Sequence, residues 1–123
     1  MKVLIVDDNI IQLQFTKSVL EKHGHEVITS TTAWVSNIVS AEKPSIVLMD
    51  LNIGAVNGSQ AIKSLKGRKF SDDVLYYLHS SDDLEKIKKE VLECGADGYV
   101  PKCIKESEFI KDFNEIIKNV EPR

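Results

Sequence analysis

Short apolar runs alternate along this chain with stretches patterned for helices, and each run closes in a residue with chemistry to offer. That alternation is the signature of repeated βα units, and it restricts the chain to an α/β fold with a parallel sheet. Lys2-Val3-Leu4-Ile5-Val6 ends in Asp7-Asp8, and Ser45-Ile46-Val47-Leu48-Met49 ends in Asp50. Val74-Leu75-Tyr76-Tyr77-Leu78 leads to Ser80, and Gly98-Tyr99-Val100 leads to Lys102. Parallel strands point the same way, so these groups are expected to meet at one carboxyl edge, where open α/β sheets build their sites.

The connecting segments carry helical stripes. Ile11, Phe15, Val19 and Leu20 form one stripe that stops at His23-Gly24. Glu26 to Ser30 reads as a second strand, and Thr32 to Ala41 as a weaker helix stopped before Lys43-Pro44. Asn52 to Gly58, with two glycines and two asparagines, reads as a loop. The next helix turns Ala61, Ile62 and Leu65 inward and stops near Gly67. Asp82 or Asp83 is placed to cap a helix over Leu84 to Cys94, with a stripe of Leu84, Ile87, Val91 and Leu92 and a stop at Gly95. The last helix is expected over Ser107 to Val120, with Phe109, Ile110, Phe113, Ile116, Ile117 and Val120 inward. Five βα units fill residues 1–123 as one domain, with helices on both faces of a five-stranded sheet.

Composition narrows the function classes. A net charge of −3 argues against general nucleic-acid binding, which requires a basic footprint. No apolar run approaches the roughly 20 residues of a membrane span, and Met1-Lys2 runs straight into a strand without a signal-peptide profile. Cys94 and Cys103 are not spaced as Cys-x-x-Cys and read as reduced cytosolic thiols, which points to a cytoplasmic protein.

The strand-end residues suit a divalent cation and a phosphoryl group. Mg²⁺ takes oxygen ligands and is usually held by one or two carboxylates with water and phosphate. Asp7, Asp8 and Asp50 offer those carboxylates, which would repel one another without a cation. Lys102 offers a mobile point charge and Ser80 a hydroxyl for phosphate oxygens, leaving Asp50 as the nucleophile able to form an aspartyl phosphate. Each residue alone also has a structural reading. An aspartate after a strand often caps the next helix, and a serine there is common turn chemistry. All five at the ends of neighbouring strands exceed what capping requires.

With these residues in view, the chain resembles the bacterial response-regulator receiver domain over essentially its whole length. Val6-Asp7-Asp8-Asn9 is similar to the family's acidic pair after the first strand, and Leu48-Met49-Asp50-Leu51 to its phosphoacceptor strand, with Gly58 at the glycine before the third helix. Ser80 stands at the Thr/Ser position, and Ala96-Asp97-Gly98-Tyr99-Val100-Pro101-Lys102 resembles the lysine segment. The resemblance implies a flavodoxin-like, doubly wound sheet in the order 2-1-3-4-5. It implies phosphorylation of Asp50 by a histidine kinase or phosphotransfer protein, with Mg²⁺ on Asp8, Asp50 and the backbone carbonyl of Asn52, and Asp7 acting through water. Ser80 and Tyr99 would act as the switch pair and remodel the surface of the fourth helix, fifth strand and fifth helix, where an output protein docks. Asn52 and Asp82 would tune dephosphorylation. The chain would be a stand-alone signalling switch, monomeric or dimerising on phosphorylation, and no enzyme beyond its own phosphoryl transfer and dephosphorylation.

Two positions depart from the family pattern. Cys103 follows Lys102 where the family has a cis-proline, so a trans bond is expected, because a non-proline cis bond costs about 2.5–4 kcal/mol. Gly54 replaces a usual proline and is expected to loosen the loop after Asp50. Three other readings compete: a phosphorylation-independent interaction module, a receiver cut from a longer regulator or hybrid kinase, and an enzyme on the same architecture. Flavodoxins need a hydroxyl-rich loop where this chain has Asp7-Asp8-Asn9, and aspartate phosphatases an Asp-x-Asp that is absent. His23-Gly24-His25 reads as a turn, Lys86, Lys88 and Lys89 as a solvated face, and Tyr76 and Tyr77 as facing opposite sides of the sheet. His79 could face site or core, and Trp34 could pack or stand exposed.

Overall fold

The computed structural model describes residues 1–102 and 105–118. Five parallel strands, β1 (Lys2–Val6), β2 (Glu26–Ser30), β3 (Ile46–Met49), β4 (Leu75–Ser80) and β5 (Gly98–Pro101), form one sheet in the order β2-β1-β3-β4-β5. Between and after them come α1 (Ile10–Lys22), α2 (Ser36–Glu42), α3 (Gly58–Lys66), α4 (Leu84–Cys94) and α5 (Glu106–Ile117). The order expected from the family resemblance is the order found.

Alternation along the strands divides the core in two. Leu4, Val6, Val47, Met49, Tyr76 and Leu78 face α2, α3 and α4, packing with Val39, Ile62 and Ile87. Val3, Ile5, Ile46 and Leu48 face α1 and α5, against Leu13, Leu20, Phe109 and Phe113. Tyr76 and Tyr77 fall on opposite faces as their neighbour positions require, and the buried Tyr76 hydroxyl lies 2.6 Å from Ser71 Oγ.

Two helical stripes differ from the sequence reading. In α1 the buried positions are Leu13, Thr16, Val19 and Leu20, while Ile11 is 85% exposed. Thr16 reaches the core because its hydroxyl donates to the Gln12 carbonyl (3.0 Å), so no polar group is stranded. In α4, Ile87 and Cys94 are buried but Leu84 is 44% and Leu92 85% exposed. Helix α2 begins at Ser36, not Thr32, which leaves Trp34 outside it and 81% exposed. Gly95 terminates α4 with φ of 75°, and Asn9 caps α1 by accepting from the Gln12 amide (3.1 Å). Asp83 holds the cap position of α4 without a side-chain capping bond. Val120 and Cys103, with the expected trans bond before it, lie outside the described residues.

The segment after Asp50 is more ordered than the loop expected from its glycines. Asn52–Ile53 pairs antiparallel with Val56–Asn57, and Gly54 turns the hairpin with φ of 60°. Proline, locked near φ −65°, could not take that place. His23-Gly24-His25 forms the expected turn: His23 Nδ1 bonds the Val19 carbonyl (2.9 Å) and His25 Nδ1 the N-terminal amine (3.2 Å).

Candidate functional site

Sheet register decides which strand-end residues meet. Val6 pairs with Met49 and Met49 with Leu78, so Asp7 and Asp50 leave the sheet at one level on neighbouring strands. The Asp50 amide donates to the Val6 carbonyl (2.9 Å), which ties the two strand ends together. On the far side Ser80 pairs with Pro101, and the Lys102 amide donates to the Ser80 carbonyl (2.9 Å). The lysine side chain then runs back along the edge. Its ammonium lies 2.8 Å from Asp7 Oδ2 and 3.1 Å from Asp50 Oδ2.

Asp7, Asp8 and Asp50 bring carboxylate oxygens within 4.8 Å of one another, close enough to share a metal ion. Backbone amides reach all three, the Asn52 N–H meeting Asp50 Oδ1 at 3.5 Å. Asn9 N–H donates to Asp7 Oδ1 (2.9 Å) and Gly54 N–H to Asp8 Oδ2 (2.7 Å). The other oxygen of Asp7 is buried and accepts no well-directed hydrogen bond among the described residues; it meets the ammonium as an ion pair off the hydrogen-bonding direction. A buried carboxylate oxygen in that condition fits a cation binding there.

Burial pushes the Asp50 carboxyl above its usual range, the Lys102 ammonium pulls it back, and the charge of Asp7 adds to the rise. Burial alone would lower the Lys102 ammonium, but Asp7 and Asp50 outweigh it and hold the group above its ordinary value. The site is therefore a lysine clamped between two carboxylates that water solvates poorly.

The rim is built from the two loops. Asn52 Nδ2 donates to Asp82 Oδ2 (3.3 Å), and the same oxygen lies 3.5 Å from Lys86 Nζ at the start of α4. Ser80, 3% exposed, accepts at Oγ from the Asp82 amide (3.1 Å). Tyr99 is half-buried and packs on the α2–α4 side of the sheet. His79, adjacent to Ser80, turns to the other face: Nδ1 lies 3.0 Å from the Val100 carbonyl and the ring 5.5 Å from that of Phe109. Burial holds its pKa down to about 4, so the ring is neutral at pH 7 and serves the core rather than the site.

The sequence marked Gly58 and Gly54 without showing what either backbone does at the site. A Cβ on Gly58 would stand 1.9 Å from the Asp50 carbonyl oxygen, so only glycine lets α3 start this close to β3. The Gly54 amide on Asp8 is equally invisible, because every residue but proline carries that N–H. The glycines themselves were the available signal.

Comparison with known proteins agrees with this arrangement. Protein PilH of Pseudomonas aeruginosa is 29% identical over 117 residues, covering 94% of this chain and 97% of that protein. The DNA-binding transcriptional activator EvgA of Escherichia coli is 29% identical over 104 residues, covering 83% of this chain but 50% of its own length. Among solved structures, the chemotaxis protein CheY4 of Vibrio cholerae superposes with a TM-score of 0.84 at 21% identity, over 94% of this chain and 97% of that one. Residues 3–114 match the family described as the response regulator receiver domain, and the chain belongs to that family, the receiver domains of two-component signalling.

Proposed function

We propose that Asp50 is the phosphoacceptor of a signalling switch. The observation that carries this is its position at the end of β3, 3.1 Å from the Lys102 ammonium and within 4.8 Å of the carboxylates of Asp7 and Asp8. An oxygen of Asp50 attacks the phosphorus of a phosphohistidine on a kinase or phosphotransfer protein, the P–N bond breaks, and an aspartyl phosphate forms. Lys102, already beside Asp50, neutralises one phosphoryl oxygen, and the Ser80 hydroxyl leaves the Asp82 amide to bond another. Mg²⁺, held by Asp8, Asp50 and the Asn52 carbonyl with Asp7 through water, would supply charge neutralisation for the transferring group.

Movement of Ser80 pulls on β4, and Tyr99 on β5 follows it. This alters the α4–β5–α5 surface, where the exposed Leu84 and Leu92 offer apolar contact to an output protein. Asn52 and Asp82, hydrogen-bonded at the rim, govern how readily water reaches the phosphoryl group. On this reading residues 1–123 are one receiver unit whose chemistry is confined to itself. Among the described residues no helix is long and apolar enough to cross a membrane.

Intact-protein mass after incubation with acetyl phosphate and Mg²⁺ tests the assignment, beside Asp50→Asn and a sample in EDTA. One phosphoryl group on the wild type, absent from both controls, is expected. Beryllofluoride binding on the same samples detects a short-lived adduct; failure of both reduces the chain to a phosphorylation-independent interaction module.

A further inference from the structure

A groove separate from the aspartate cluster lies between the segment leading into α2 and the flank of α3. It encloses about 380 Å³, within the roughly 300–1,000 Å³ of ligand-sized pockets. Val35, Val56, Ala61 and Leu65 supply apolar lining, and Trp34 and Arg68 line it with them. Trp34 is 81% exposed, which leaves a large aromatic face in water. Tryptophan and arginine are the residue types that most often anchor protein interfaces.

The charge at this groove selects its occupant. The whole chain is acidic, yet no carboxylate lines the groove and its cation is Arg68. The guanidinium lies 5.4 Å from the Phe70 ring centroid and has no ion pair among the described residues. Its planar fork is suited to a carboxylate arriving with a partner. A second copy of this chain would bring a net charge of −3 but also its own lysine-rich faces, and a basic segment would meet Arg68 with like charge.

We propose that this groove docks an acidic segment of a partner protein, with a bulky apolar side chain against Trp34, Val56 and Leu65 and a carboxylate on Arg68. The proposal does not depend on phosphorylation of Asp50. Trp34 is the chain's one tryptophan, so its fluorescence reads this site directly.

The test titrates the full chain with a capped peptide of Glu-Leu-Phe-Glu blocks and with its Lys-Leu-Phe-Lys counterpart. A saturable blue shift of Trp34 emission is expected with the acidic peptide alone. Arg68→Glu, an exposed substitution whose fold is checked by circular dichroism, should weaken binding about tenfold, the size of an anchor loss. Trp34→Ala, followed by chemical shifts at Val56 and Ala61, should do the same. No saturable shift up to about 1 mM, the weak limit of useful recognition, overturns the proposal, as does equal binding of both peptides. Sedimentation across concentration completes the test: self-association lost in Trp34→Ala would give the groove to a second copy and overturn it too.

Discussion

The sheet sets a lysine between two carboxylates at each of its two edges, but water reaches only one of these groups freely. At the amino edge Lys2 pairs with Glu42 (3.2 Å) and Glu26 (3.6 Å), with both carboxylates about half exposed or more. At the carboxyl edge Lys102 pairs with Asp7 (2.8 Å) and Asp50 (3.1 Å), where the side chains are 12%, 1% and 11% exposed. Similar distances thus have different consequences. Water screens the first set, so either partner can leave without stranding a charge. At the second, each charge has been taken from water and is tolerable only while its partner stays. The difference teaches that distance alone does not identify a site; the informative feature is charge gathered where solvation is poor.

Gly58→Ala should break the carboxyl edge most severely, because the added methyl meets the Asp50 carbonyl at 1.9 Å and neither backbone can yield cheaply. A loss of at least about 3 kcal/mol in urea unfolding is expected, the range reserved for overpacking and backbone strain.

Lys102→Met tests the contrast itself. Removing the ammonium leaves Asp7 and Asp50 buried beside each other, and a loss of about 3 kcal/mol in EDTA is expected. Lys2→Met, the matched change at the amino edge, should leave the unfolding midpoint unmoved. Equal effects from the two would erase the distinction drawn between the edges.

The smallest effect is a pH dependence beside the site. His79 has a folded pKa of about 4 against 6.5 for an unperturbed histidine, so the unfolded chain binds its proton first as pH falls. Stability is complete above pH 6.5 and is lost as pH falls from there to about 4, with about 2 kcal/mol gone between pH 7 and 5. Asp50 has the opposite sign: its raised pKa makes the folded state the better proton acceptor, so that contribution grows on acidification. Denaturation of wild type and His79→Leu across pH 4.5–7 separates them. The variant should lack the acid loss, and identical profiles would show that His79 does not titrate as its burial requires.

Much of the fold was legible because its signals are local. Alternating strand and helix patterns marked five units, and strand-terminal Asp7, Asp8, Asp50, Ser80 and Lys102 needed only parallel strands to be brought to one edge. The helix faces were less legible. Ile11 and Leu92 fit apolar stripes by spacing, yet stand exposed, while Thr16 turns inward with its hydroxyl satisfied by its own backbone. Hydrophobicity ranks residues by type, whereas the buried face of a helix follows from its rotation against the sheet.

By itself, then, the amino-acid sequence determined the α/β class, the places where strands end and the residue types that stand there. All of these depend on periodicity and on chain neighbours. Tertiary structure decided what distant segments do to one another: that Lys102 is clamped by Asp7 and Asp50, that His79 turns to Phe109, that Gly58 must lack a side chain beside Asp50, and that Trp34 and Arg68 share a groove. These contacts join residues far apart along the chain, and their geometry exists only once the sheet register has set the separation of the strands.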